Sequence, residues 1–193
     1  GVIQGVDRAF AIHGTPNLPS GWVGTRGGPL LASADEFHVK VRGRGGHAST
    51  PHLANDPIPV ACEIVTALQT FVTRRVDAFA PAVVSVTKIR AGTTHNVIPE
   101  TAILWGTIRA VSKRTRAAAV EAVTRVADGI ASAHDMEAEG GVIEGYPVTV
   151  NDAERAAAAL GLATSLFGAD RAVEVPTPMM GAEDFSYVLA EVP

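Results

Sequence analysis

Between residues 36 and 42 apolar and polar side chains alternate without a break. Phe37, Val39 and Val41 fall on one side and Glu36, His38, Lys40 and Arg42 on the other. A period of two over this length predicts a strand with one face in a core and one in water. The period then changes. Ala61, Ile64, Val65, Leu68 and Val72 recur at helical spacing, which predicts a helix from Pro57, a residue suited to a first turn, to about Thr73. Residues 82–89 are rich in β-branched side chains, and residues 102–109 read as a second strand closing a pair across the connection 91–100. Ser112 can cap a second helix with Val120, Val123, Ala127 and Ile130 along one stripe. Residues 136–143 make a last strand, weakened by Gly140 and Gly141. The order from Glu36 to Glu144 is therefore β-α-β-β-α-β. It predicts the ferredoxin-like split βαβ, one antiparallel sheet with two helices on one face.

The flanks have a different character. Ala9-Phe10-Ala11-Ile12 is a short apolar run that reads as a buried strand ending at His13-Gly14. Residues 15–28 hold Pro16, Pro19, Gly21, Gly24, Gly27 and Gly28 and read as loop, with at most a short strand near Trp22-Val23. A boundary falls at about residues 31–34. After Tyr146-Pro147, Asn151 or Asp152 caps an Ala-rich helix running to about Phe167, with Gly168 as its stop. Pro176 and Pro178 break the next segment, and residues 181–184 lead into a helix carrying Phe185, Val188 and Leu189. The expected class is α+β. Residues 1–33 and 146–193 form parts of one domain, and residues 34–145 form the ferredoxin-like domain inserted into it. Gly1 without a methionine and Pro193 directly after an apolar helical pattern suggest that both ends are cut.

Composition narrows the function classes. A net charge of −4 and no basic run argue against nucleic acid as the main partner. No stretch of 18 apolar residues and no signal-peptide layout argue against a membrane. The single Cys62 excludes an internal disulfide framework and fits a reducing, cytoplasmic compartment; in its helical context it reads as core filler. The strand at 102–109 carries Ile103, Trp105 and Thr107 on one face and Leu104, Gly106 and Ile108 on the other. Neither face is polar, which predicts an exposed apolar surface for a partner.

Candidate chemistry gathers at the end of the first strand. In Gly43-Arg44-Gly45-Gly46-His47-Ala48-Ser49, three glycines in four positions give a pliable turn. It would present His47 with the guanidiniums of Arg42 and Arg44 to a ligand approaching closely. Taken alone, a tight turn with one exposed histidine is the plainer reading. Three further positions stand out: His13 at the end of an apolar run, Asn96 in the loop before a strand, and Arg109 at a strand end. Asn offers an amide donor and Arg a planar fork suited to a carboxylate. Singly, these read more plainly as a core histidine, a turn former and a solvated strand end.

Together they resemble a known family. Ala34-Asp35-Glu36-Phe37, then Val41-Arg42-Gly43-Arg44-Gly45-Gly46-His47-Ala48-Ser49 and Pro51-His52, resemble the opening of the lid domain of the metal-dependent amidohydrolases. That group includes aminoacylases, hippurate hydrolases and indole-acetyl-amino-acid hydrolases. The likeness continues, in the family's order, through Gly92, Asn96-Val97-Ile98-Pro99-Glu100, Gly106-Thr107-Ile108-Arg109 and Met180-Gly181-Ala182-Glu183-Asp184-Phe185. It implies metal-dependent hydrolysis of the amide bond of N-acyl amino acids or related small amides. Residues 1–33 and 146–193 would be parts of an incomplete α/β, zinc-peptidase-like catalytic domain, and residues 34–145 a lid through which the protein forms a homodimer. Two divalent metals, usually zinc with manganese, cobalt or nickel as alternatives, would activate water, and a glutamate would act as base. By the same resemblance His47 acts on the partner subunit's site, Asn96, Arg109 and Gly181 bind substrate, and His13 is a metal ligand. Glu183 and Asp184 match the pocket-loop motif without a metal role. The family's Cys-Gly-His-Asp-type motif, its paired glutamates and its last metal-binding histidine have no counterpart in the 193 residues. With His13 alone, the isolated chain is expected to be inactive. A di- or tripeptidase of the same family, or a non-catalytic ferredoxin-like dimerisation or small-molecule-binding module, remain the alternatives.

Overall fold

The computed structural model describes residues 3–192. In chain order it holds β1 (Val23–Thr25), β2 (Gly28–Leu31), β3 (Asp35–Arg42), β4 (Gly46–His47), α1 (Pro57–Arg75), β5 (Ala82–Ala91), β6 (Val97–Ile98) and β7 (Thr101–Ala110). There follow α2 (Lys113–Ala133), β8 (Glu137–Ile143), β9 (Thr149–Asn151), α3 (Ala153–Phe167), β10 (Ala172–Glu174) and α4 (Ser186–Leu189). Ala34–Gly145 packs as one compact unit, and the segments before and after it pack with each other as a second.

In the first unit four strands form one antiparallel sheet in the order β5-β7-β3-β8. The opening strand thus lies inside the sheet, with Val39 opposite Leu104 of β7 and Gly140 of β8. The alternation in β3 does what its period implies: Phe37, Val39 and Val41 are buried, and Glu36, His38 and Arg42 are exposed. They meet Leu104 and Ile108 of β7, Val84 of β5, Val60, Ala61, Ile64 and Leu68 of α1, and Ala119, Val123 and Ala127 of α2. Each fully buried Val, Leu, Ile or Phe there contributes about 1.5–3 kcal/mol of transfer free energy. Both helices pack on the sheet and on each other, so they share its one apolar face. α2 begins at Ser112, whose side chain accepts a hydrogen bond from the Thr115 amide.

Two expectations for this unit are corrected. Cys62 is exposed rather than core filler, because the inward stripe of α1 runs through Val60, Ala61, Ile64 and Leu68 and leaves it outside. The second concerns the open face of the sheet, which is mixed rather than apolar. Ile103 and Trp105 are half-buried there, flanked in the register by Lys40 and His38 of β3 and by Arg90 and Lys88 of β5. The Lys88 ammonium sits 4.2 Å from the Trp105 ring centroid, a cation–π contact that covers the indole. The charges that break up the apolar strip come from neighbouring strands and cannot be read from β7 itself.

A buried ion pair closes the unit where the chain enters and leaves it. Asp35, the first residue of β3, has no side-chain exposure and pairs with Arg116 of α2. Its carboxylate accepts from Arg116 Nε at 2.9 Å, from the same guanidinium through Nη2, and from the Gly145 amide at 3.0 Å. Arg116 also reaches Glu144 at 3.3 Å.

In the second unit β1 runs parallel to β10 and β2 antiparallel to β9. α3 is capped by Asp152, whose carboxylate accepts from the Arg155 amide; the Asn151 side chain donates instead to the Arg26 carbonyl. Gly168, at φ 94°, ends that helix. The helix expected after residue 184 is a single turn, α4. The buried strand expected at 9–12 is absent. Phe10 and Ile12 are exposed, Ile12 completely, and no strand among the described residues lies beside them. A strand without a neighbour has no ladder for its backbone groups. No helix among the described residues is long and apolar enough to cross a membrane.

Candidate active site

His47 is held by a two-stranded ribbon. β4 pairs antiparallel with β6, with His47 opposite Val97, and the Ala48 amide donates to the Asn96 carbonyl at 3.0 Å. His47 and Asn96 therefore stand side by side, beyond the Thr101 end of β7. The glycines before His47 serve this packing. A Cβ at Gly43 would run into the Asn55 carbonyl oxygen, and one at Gly45 would lie 2.9 Å from the Ile98 carbonyl oxygen. None of Gly43, Gly45 and Gly46 has a positive φ. Close approach of the chain to itself requires glycine at Gly43 and Gly45, which corrects the expectation that the glycines serve to reach backbone conformations closed to other residues.

The ring of His47 is set by Ser49. The Ser49 amide donates to Nδ1 at 3.2 Å, and the Ser49 hydroxyl lies 2.7 Å from the same nitrogen. A ring nitrogen that accepts an amide proton carries none of its own, so the neutral ring holds its proton on Nε2. The exposed histidine thus presents an N–H donor without having to be charged. Asn96 is exposed too, and its side-chain oxygen accepts from the Thr94 hydroxyl at 3.4 Å.

Of the two guanidiniums expected beside His47, Arg42 is engaged elsewhere. It donates to both oxygens of Glu139 on β8, at 2.5 and 2.8 Å. That hydrogen-bonded pairing holds the Glu139 carboxyl below its ordinary range and the Arg42 guanidinium above its own. Both are exposed, so the pair fixes a surface contact and leaves Arg44 as the guanidinium nearer the turn.

Arg109 does not join His47 and Asn96. It sits at the other end of β7, opposite Val83 and next to Ile108, which pairs with Asp35. At about 3.3 Å per residue, β7 separates Thr101 from Arg109 by roughly 26 Å. No amino-acid-sized ligand touches Asn96 and Arg109 of the same protomer.

In the other unit the loop at 179–184 is moored along β2. The Met179 amide donates to the Leu30 carbonyl at 2.9 Å, and the Ala32 amide donates to the Met179 carbonyl at 3.0 Å. A Cβ at Gly181 would make only ordinary contact with Leu31, at 3.7 Å, so the chain itself does not require glycine there. Two residues further on, Glu183 Oε2 lies 2.7 Å from His13 Nδ1. This pairing has no local signal in the sequence, where the two residues stand near opposite ends. No group of three or more His, Cys, Asp or Glu that could hold a metal occurs among the described residues. His13, with Nδ1 held and Nε2 open, fits as one ligand of a larger set and not as a site in itself.

Comparison with known proteins adds the relationships. Residues 32–135, more than half of the chain, match the M20 peptidase dimerisation domain. The chain is 39% identical to an N-acetylcysteine deacetylase of Bacillus subtilis, covering all of this chain and 50% of that protein. It is 37% identical to thermostable carboxypeptidase 2 of Saccharolobus solfataricus, covering all of this chain and 48% of the relative. Among solved structures it is similar to the YxeP protein of Bacillus subtilis, a dinuclear metal-binding peptidase of the M20 family. The TM-score is 0.79 at 34% identity, over all of this chain and 47% of the other. The chain thus spans about half the length of the relatives it matches.

Proposed function

The chain belongs to the M20 peptidase family, and on that premise we propose that the full-length protein hydrolyses the amide bond of N-acyl amino acids as a homodimer. Its ferredoxin-like lid, Ala34–Gly145, dimerises and supplies His47 and Asn96 to the partner's site, while Arg109 serves the site of its own protomer. The observation that carries this division is the placement of Arg109 at one end of β7 and of the His47–Asn96 ribbon beyond the other. A site using all three residues on one small substrate has to draw them from two protomers.

Each residue then has a defined task. The planar fork of Arg109 and the amide of Asn96 hold the substrate carboxylate, and so fix the distance from carboxylate to scissile bond. The Nε2–H of His47 donates to the carbonyl oxygen as it becomes negative in the tetrahedral intermediate. Gly181 lets the substrate approach the 179–184 loop. His13 supplies one imidazole to a pair of divalent metals, zinc being the expected ion. When bound, that pair activates water and polarises the carbonyl.

Relatives of this chain include both deacetylases and a carboxypeptidase, and a peptide's terminal carboxylate would fit the same contacts. A panel of N-acetyl amino acids and dipeptides assayed side by side separates the two substrate classes. Arg109→Ala in the full-length protein is expected to raise KM for either class about ten- to a hundredfold with little change in kcat, since a charge-assisted hydrogen bond made in the ground state is lost. Unchanged KM and kcat would remove Arg109 from the site.

A further inference from the structure

We infer that Glu183 is a positioning residue for metal binding, acting by holding His13 in the tautomer and orientation that leave Nε2 free to ligate. The inference rests on the reading of His13 as a metal ligand and adds a residue to it.

The two side chains come from separate loops with no regular structure of their own. Within these 193 residues the His13 imidazole is 76% exposed, and the Glu183 carboxylate is the polar group that meets its Nδ1. The Glu183 side chain is only 20% exposed, on a loop anchored two ways to β2 through Met179. The carboxylate is the better-held partner of the two, and it is the one able to orient the other. At 2.7 Å its Oε2 is placed to accept from Nδ1–H.

The consequence is chemical as well as geometric. With its proton on Nδ1, the neutral imidazole keeps its lone pair on Nε2, the nitrogen turned away from Glu183. A free imidazole in water favours the other tautomer, which would present N–H where a ligand lone pair is needed. A carboxylate on the far nitrogen also raises the basicity of the ligating one, and such outer partners change metal affinity about 10–100-fold. Glu183 needs no direct contact with the metal for this.

The two histidines emphasised in this chain are thereby set in opposite ways. His47 Nδ1 accepts a hydrogen bond from an amide and the ring presents an N–H donor at Nε2, while His13 donates a hydrogen bond from Nδ1–H to a carboxylate and presents a lone pair. A donor suits an oxyanion and a lone pair suits a cation.

The test is zinc affinity of the full-length protein, measured by competition with a chromogenic chelator, for wild type, E183A, E183Q, H13A and the double variant. E183A is expected to weaken zinc binding about 10–100-fold. E183Q keeps an acceptor oxygen for Nδ1–H and is expected to recover most of that loss. Once His13 is gone, E183A should add nothing further, because Glu183 acts only through it. Side-chain 15N shifts of the neutral ring in the metal-free protein should show Nδ1–H in wild type and a shift toward Nε2–H in E183A. If H13A weakens zinc binding and E183A does not, the positioning role is overturned and the ligand reading stands. If H13A leaves zinc affinity unchanged, the ligand reading itself fails. Equal losses for E183A with and without His13 would mark Glu183 as a structural residue and overturn the proposal.

Discussion

His47→Ala in the full-length protein is expected to lower kcat about 10²–10³-fold while KM for an N-acyl amino acid moves only a few-fold. The reason is the timing of the hydrogen bond. Ser49 fixes the ring so that a neutral His47 offers Nε2–H. The carbonyl oxygen of a bound amide becomes a strong acceptor only as the tetrahedral intermediate forms. Removing the donor therefore raises the transition state and leaves the ground state almost untouched. His47→Gln, which also offers an N–H, should recover part of the rate if it reaches the same point. Steady-state kinetics on one N-acetyl amino acid decides the matter. A rise in KM at constant kcat would make His47 a ground-state binding residue and contradict its role here.

The second large effect is on stability. Asp35→Ala is expected to destabilise the unit Ala34–Gly145 by about 3–5 kcal/mol, the range for removing one partner of a buried ion pair. The Asp35 carboxylate is fully buried and accepts from Arg116 twice and from the Gly145 amide once. Alanine would take the carboxylate away from a mostly buried guanidinium and remove the hydrogen bond from the Gly145 amide. The loss follows from what remains behind, so Asp35→Leu combined with Arg116→Met should be milder than Asp35→Ala alone. Hydrogen exchange of the core amides of β3 and α2 reads the opening free energy of this unit within the intact protein. A change below about 1 kcal/mol in Asp35→Ala would mean that the pair is not the clamp its geometry indicates.

The core of the unit Ala34–Gly145 was legible because its residues repeat. β3 alternates over eight positions, and α1 and α2 each carry one apolar stripe. Such periods survive because one face of each element meets the same neighbour along its length. The short pairings had no such signature. β2 and β9 are four and three residues long, and β4 and β6 are two each. Their partners are distant in sequence, and so few residues cannot display a period. The same limit explains Ala9-Phe10-Ala11-Ile12, where four apolar residues fit a strand but find none beside them, and Cys62, which sits one step off the stripe of α1.

The candidate site divides in a similar way. His13, His47, Asn96, Arg109 and Gly181 were singled out from motif letters, whose order along the chain carries the family likeness. What the letters lack is distance. Nothing in them places Arg109 at the far end of β7 from Asn96, turns Arg42 toward Glu139, seats Ser49 on the ring of His47 or sets Glu183 against His13. These relations come from strand register and loop anchoring, which form only when the chain folds.

The decisive measurement is the activity of a purified heterodimer carrying His47→Ala in one protomer and Arg109→Ala in the other, each marked with a different affinity tag. If His47 serves the partner's site and Arg109 its own, one of the two sites keeps both residues and the other loses both. The heterodimer should then show about half the wild-type kcat/KM, far above either parent homodimer. Activity no higher than the mean of the two parents would show that each protomer uses its own His47 and Arg109, and would contradict the shared site.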